Sequence, residues 1–185
     1  MIRARKFGIL LMIVFAEIAA AQNNQPPKPH PAPEMQRLAK MLVGTWNVDE
    51  DWAAGGTMSN GLKGTAHSVI RMGPGGLSLI EDFVDQNGRL HILYWWDKAA
   101  KSFRAIQCDD ISEEGCSTTQ DQNGRANWEG EEVVWHLTVE KDSKKVPAKI
   151  VWAKRDNSSF VARMDVADAS GTMRRDWTFV HKRVK

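Results

Sequence analysis

The chain is poor in the features that mark most enzyme classes. Its 185 residues include two cysteines and one tyrosine. It has no nucleophile elbow, Walker-type phosphate loop, dinucleotide fingerprint or His-Glu-x-x-His pair, which excludes the motif-defined forms of those enzymes and leaves other chemistry open. Its longest apolar run, 7–16, is about half the roughly 20 residues a spanning helix needs. No charge of one sign dominates either, since a formal net charge of +2 is spread over 25 basic and 23 acidic residues.

The apolar run is preceded by Arg3, Arg5 and Lys6 and followed by Ala19-Ala20-Ala21, the layout of a cleavable signal peptide over 1–21. Glu17 interrupts the end of the run, which speaks against an anchor. Arg3 and Arg5 are not adjacent, so the twin-arginine pattern is missing, and no cysteine near the cleavage point offers a lipid attachment site. Cleavage before Gln22 removes three positive charges and one negative, leaving a formal net charge of zero. A footprint for nucleic acid or anionic lipid then disappears. The expectation is a periplasmic or secreted protein of bacterial type, with no nucleic-acid partner and no stable membrane insertion after signal cleavage.

Residues 22–33 carry five of the seven prolines and little to bury, so a flexible, extended spacer is expected there. Residues 34–185 are enough for one domain with a sizeable core. At its start Met35, Leu38 and Leu42 recur at helical spacing, Pro33 suits a first turn, and Gly44 stands where a left-handed C-cap is wanted. The period then changes to two. Trp46, Val48 and Trp52 share one face of a strand, while Thr45, Asn47, Asp49 and Asp51 share the other.

Strand patterns follow over 45–52, 62–72, 77–85, 89–96, 102–109, 116–120, 125–129, 133–140, 147–155, 159–167 and 172–183, two of the short middle ones being readable as a single bent strand. Turn chemistry separates them: Gly73-Pro74-Gly75-Gly76, Gln86-Asn87-Gly88, Gln122-Asn123-Gly124, Asp156-Asn157 and Ser170-Gly171. A chain of sequential antiparallel strands is best closed, because closure removes unpaired edges. The fold class expected is therefore all-β: an antiparallel up-and-down β-barrel of about ten strands with one short N-terminal helix. A two-sheet sandwich is the competing architecture.

Eight tryptophans against one tyrosine is the compositional oddity. Parity places Trp135 with Val133 and Leu137, Trp152 with Ala148 and Ile150, and Trp177 with Met173 and Phe179, all on inward faces. Each buried ring is worth a few kcal/mol whether or not a ligand is present. Glu81 interrupts the set Leu77, Leu79 and Phe83. It is either an inward carboxylate in need of a partner, or it lies on the wet side of a strand that buries Ile80 and Val84. His67, His91, His136 and His181 are scattered over different strands. His136 faces out by parity, and His181 alone shares the Trp177 and Phe179 face, which makes it the one histidine to offer as a haem or metal ligand. No cofactor and no metal-binding set is assigned.

The helix before Gly44-Thr45-Trp46, Gly75-Gly76 opening a strand, Tyr94-Trp95-Trp96-Asp97 before Lys101 and the late tryptophan-bearing strand together resemble a secreted bacterial family of lipocalin-like, or calycin-type, domains of unknown function. The resemblance covers 33–182. Its Gly-x-Trp element is shared by lipocalins, fatty-acid-binding proteins and nitrobindin-like haem proteins, and the last carry a fuller histidine-rich pattern near their closing strands. Trp96 stands where the family tends to have glycine, and the cysteine pair is not a family feature. The resemblance implies a barrel with an internal cavity and no established activity.

Three functions are weighed. An exported protein that binds a small apolar or amphipathic molecule among Trp46, Trp135, Trp152, Trp177, Phe179, Glu81 and Arg175 leads. A barrel-type enzyme (isomerase, cyclase or decarboxylase) using Glu81 and Arg175, and an envelope or interaction module with a filled core, are the alternatives. Arg175 falls on the inward parity of Met173, Trp177, Phe179 and His181, and its spacing to Trp177 is similar to the Arg-x-Tyr of the last strand in fatty-acid-binding proteins, where the arginine meets a carboxylate. A rim position or a structural ion pair is the competing reading. Cys108 and Cys116, the only cysteines in a chain expected to be exported, flank the turn 109–115 and are expected to form a disulfide.

Overall fold

The computed structural model describes residues 28–110, 115–118, 124–141 and 143–185. The segment expected to be a signal peptide, 1–21, and residues 22–27 of the expected spacer lie outside the described residues. Among the described residues the first element is helix α1 (Pro33–Leu42). Eleven strands follow: β1 (Gly44–Ala54), β2 (Asn60–Met72), β3 (Ser78–Val84), β4 (Arg89–Asp97), β5 (Ser102–Asp109), β6 (Cys116–Thr118), β7 (Arg125–Glu129), β8 (Glu132–Lys141), β9 (Lys144–Lys154), β10 (Ser159–Ala167) and β11 (Met173–Arg183).

Every pairing is antiparallel, in the order β4-β3-β2-β1-β11-β10-β9-β8-β7-β5, and β4 pairs back onto β5 to close the ring at ten strands. The three-residue β6 lies on the same side of β5 as β7. It pairs with the end of β5, Gln107 opposite Ser117, while β7 meets its start, Phe103 opposite Ala126. The two short segments thus share one place in the ring, as a bent strand would.

α1 closes one end of the barrel. Pro33 occupies its first turn, where no intrahelical N–H is needed, and Met35, Leu38, Met41 and Leu42 are buried on one face. The exit from the helix differs from the expected C-cap. Val43 caps it in an extended conformation, and Gly44 already belongs to β1 with φ 155°. The backbone there is one that L side chains rarely adopt, and a Cβ would in addition displace the Arg183 guanidinium. That guanidinium donates to the Val43 carbonyl at 2.9 Å and lies 4.2 Å above the Trp46 ring. The Trp46 indole N–H in turn donates to the Leu42 carbonyl at 2.8 Å, which satisfies an acceptor that the helix end leaves without a partner. Arg37 ties the helix to the turn after β7, with its guanidinium 3.8 Å over Trp128 and a 2.7 Å bond to the Gly130 carbonyl.

The end of the spacer is part of this closure. Ala32 packs on the core, and Pro31 lies against Gly76. The sheet's inner face, with Trp46, Val48, Leu79, Phe83, Tyr94, Phe103, Trp135 and Phe160, makes one continuous core with the buried face of α1.

Candidate functional site

The barrel holds a partly open cavity of about 240 Å³. It reaches from Leu42 beneath the helix to Leu90, Gln107, Ser117 and Thr118 on the β4–β6 side. Its wall is set by period-two alternation on closed strands: Phe83 on β3, Ile92 and Tyr94 on β4, Trp135 and Leu137 on β8, Ile150 and Trp152 on β9, and Trp177 and Phe179 on β11. Tyr94, Trp135 and Trp152 form one aromatic group, with centroids 5.1 to 6.2 Å apart. Trp177 and Phe179 stack at 4.5 Å, and Phe179 meets Phe83 at 6.1 Å. These offset and edge contacts fix the rings around the space.

Of the residues expected at the site, Trp135, Trp152, Trp177, Phe179 and Glu81 line the cavity. Trp46 is not in its wall. It is fully buried at the closed end, held by Leu42 and Arg183.

Arg175 does not point into the barrel. β10 and β11 pair Met164 with Trp177 but Asp165 with Arg175, so Asp176 is an extra residue on β11, a β-bulge that reverses parity for everything before it. Asp176 turns inward and is buried, accepting from the Thr57 amide at 2.6 Å and the Thr57 hydroxyl at 2.8 Å. Arg175 is turned outward, where it pairs with Asp165 at 2.7 Å and donates to Thr178 at 3.1 Å. The structural ion pair, with Asp165 rather than Glu81, is therefore what this arginine makes.

Glu81 is inward, the choice that sequence parity left open. Its two oxygens accept from the Ser68 hydroxyl at 2.6 Å and the Tyr94 hydroxyl at 2.7 Å. Burial pushes its carboxyl above the usual range, against the opposing pull of those two donors. The same burial, with Glu81 beside it, raises the Tyr94 phenol well above its ordinary value. This network can hold a proton in an apolar place, and both hydroxyls are committed to it.

His181 is buried in the wall, its ring stacked on Phe160 at 4.0 Å and edge-on to Trp46. Burial lowers its pKa to about 3, so the ring is neutral at ordinary pH. Its Nδ1 is buried without a hydrogen-bond partner. Among the described residues no group of three or more His, Cys, Asp or Glu is placed to hold a metal ion. His91 and His136 are exposed and pair with Asp82 and Glu129.

Glu50 and Gln107 are inward polar residues not singled out from the sequence. Glu50 alternates with Trp46, Val48 and Trp52 and is buried, with neither carboxyl oxygen hydrogen-bonded. The period that placed its neighbours was enough to place it. Gln107 follows Phe103 and Ala105 on the inner face of β5, and it too was legible by alternation. Cys108 and Cys116 are disulfide-bonded and directly opposed in the β5–β6 register.

No family model and no curated protein matches the chain. Among solved structures it is similar to Rv2717c from M. tuberculosis, with a TM-score of 0.55 and 11% sequence identity, over 84% of this chain and 99% of that one. At that identity the likeness is one of fold, and the chain is a ten-stranded antiparallel β-barrel of the same general architecture.

Proposed function

We propose that this protein is an exported carrier or receptor that binds a small apolar or amphipathic molecule inside the barrel. The observation that supports the reading is the cavity of about 240 Å³ walled by Trp135, Trp152, Trp177 and Phe179, beside the barrel's hydrophobic core. An apolar cavity of about 150 Å³ is enough to take benzene, whereas drug-sized ligands use about 300 Å³ or more. The ligand suggested is thus compact: one ring, or an equivalent aliphatic body, with a short substituent. Export and a lipocalin-like or calycin-type relationship belong to the same proposal, supported by the disulfide and by the signal-like 1–21.

Native mass spectrometry of protein taken from its own source, followed by extraction, tests the reading. A stoichiometric small molecule is expected. A ligand-free mass, together with no uptake of small aromatic probes by the purified protein, would leave the filled-core module as the better account.

Glu81 favours a second reading, a barrel-type enzyme acting on a similar molecule, because a buried acid with a raised pKa in a cavity wall is a candidate proton carrier. Arg175 has no part in it. Glu81→Gln should abolish turnover while leaving binding in place if the enzyme reading holds. Equal conversion of the extracted ligand by parent and variant, or none by either, would remove it.

A further inference from the structure

The cavity wall divides by chemistry. Among the described residues that line it there is no Lys, Arg or Asp. The one acid, Glu81, has both oxygens occupied by Ser68 and Tyr94, and the imidazole of His181 is stacked on Phe160. A ligand anion would therefore lose its hydration without gaining a counter-ion among the described residues, and a cation would have to share Glu81 with Ser68 and Tyr94, a loss larger than one hydrogen bond returns.

Trp135 Nε1 and His181 Nδ1 are wall atoms without a hydrogen-bond partner, each a single nitrogen on a ring packed against other rings. The other polar side chains outside the Glu81 network lie on the β5–β6 side. There Gln107 and Ser117 are register partners, both at inward positions. Directly opposed strand residues hold their Cβ atoms about 5 Å apart, so an amide and a hydroxyl can converge on one ligand atom. The next pair along is Cys108 and Cys116, whose disulfide fixes the register of a three-residue strand that would otherwise be free to slip.

We infer that the cavity selects an uncharged molecule with an apolar body and one hydrogen-bonding end, and that Gln107 and Ser117 are the residues that read that end. The inference rests on the reading of the cavity as a binding site. It adds the charge class of the ligand, its orientation with the polar end at β5–β6 and the apolar end toward Leu42, and the pair that sets specificity.

Four probes of similar size separate the terms: acetophenone (neutral with an acceptor), ethylbenzene (neutral without one), benzoate and benzylammonium. Titration into the oxidised protein, followed by calorimetry or ligand-observed NMR, gives their relative affinities. Acetophenone should bind roughly fivefold tighter than ethylbenzene, the scale of one hydrogen bond, and at least about tenfold tighter than either ion. In Gln107→Leu and in Ser117→Ala, each checked for an unchanged melting profile, the acetophenone advantage should shrink, while ethylbenzene binds as it does to the parent. Benzoate or benzylammonium equal to acetophenone overturns the inference, as does an acetophenone advantage that survives both substitutions. If ethylbenzene binds and acetophenone gains nothing over it, this inference alone falls. If none of the four binds, the binding reading falls with it.

Discussion

At the scale of single residues, two buried ionisable groups on the inner face oppose each other in pH. Burial, with Asp85 adding to it, raises Glu50 from 4.5 to about 7. The folded chain holds this proton more tightly than the unfolded chain, so the stability it confers is complete below pH 4.5 and is lost as pH rises through 7. His181 is lowered from 6.5 to about 3, so its neutral form is favoured by folding, and its contribution is lost as pH falls from 6.5 toward 3. The two slopes partly cancel between about pH 4.5 and 6.5. Urea denaturation across that range should show Glu50→Gln gaining on the parent as pH rises to 7.5, by at most about 3 kcal/mol, and His181→Phe gaining on it as pH falls. A difference between variant and parent that does not change with pH would contradict the assignment for that residue. For Arg175, outside the barrel and paired with Asp165, Arg175→Met should cost no more than about 1 kcal/mol and leave ligand uptake unchanged. Loss of uptake in that variant would show that its side chain reaches the cavity after all.

At the scale of elements, the barrel has one weak seam and one clasp. β6 contributes three residues and is held to β5 by three register pairs, one of them covalent. Closing so short a loop stabilises by roughly 2 to 3 kcal/mol in the chain-entropy model, so reduction should lower the melting temperature without unfolding the barrel. Because Ser117 belongs to both β6 and the cavity wall, reduction should also weaken ligand uptake. Melting curves and probe titrations with and without a thiol reductant check both effects, and identical binding in the two states would detach β6 from the site. The clasp is Asp176, whose bulge places a buried carboxylate against Thr57 and fastens the β1–β2 connection to β11. It is also what moves Arg175 to the outside, so one extra residue in a strand decides both the anchoring of a loop and the exclusion of Arg175 from the cavity wall.

At the scale of the whole molecule, closure of the ring leaves more inner surface than the side chains fill. Ala162 lies in the wall between Phe179 and Trp152 in register, and Ala162→Leu should project into the empty space. Three further carbons buried at about 0.8 kcal/mol each, less the cost of imperfect fit, should raise stability by about 1 to 2 kcal/mol while abolishing uptake of a ring-sized probe. A destabilised variant would mean that the space is not available, and an unchanged probe affinity would place the ligand elsewhere.

The helix, the strand ladder, the inward set Trp135, Trp152, Trp177 and Phe179, and the cysteine pair were legible in the chain, because each is a matter of local period, turn chemistry or counting. Parity could also have found Glu50 and Gln107, since they alternate with residues that were placed. Three things were left to tertiary structure. Whether Glu81 faces in depended on which side of β3 the closed ring buries, and the donors that accompany it, Ser68 and Tyr94, come from neighbouring strands. Arg175 was misplaced because a bulge shifts alternation by one residue, and nothing local in 172–183 announces the extra residue at Asp176. What covers Gly44 came from the far end of the chain, where the Arg183 guanidinium lies across it. Alternation is local and survives in the sequence, whereas register, bulges and the closing partner are fixed only when distant strands meet.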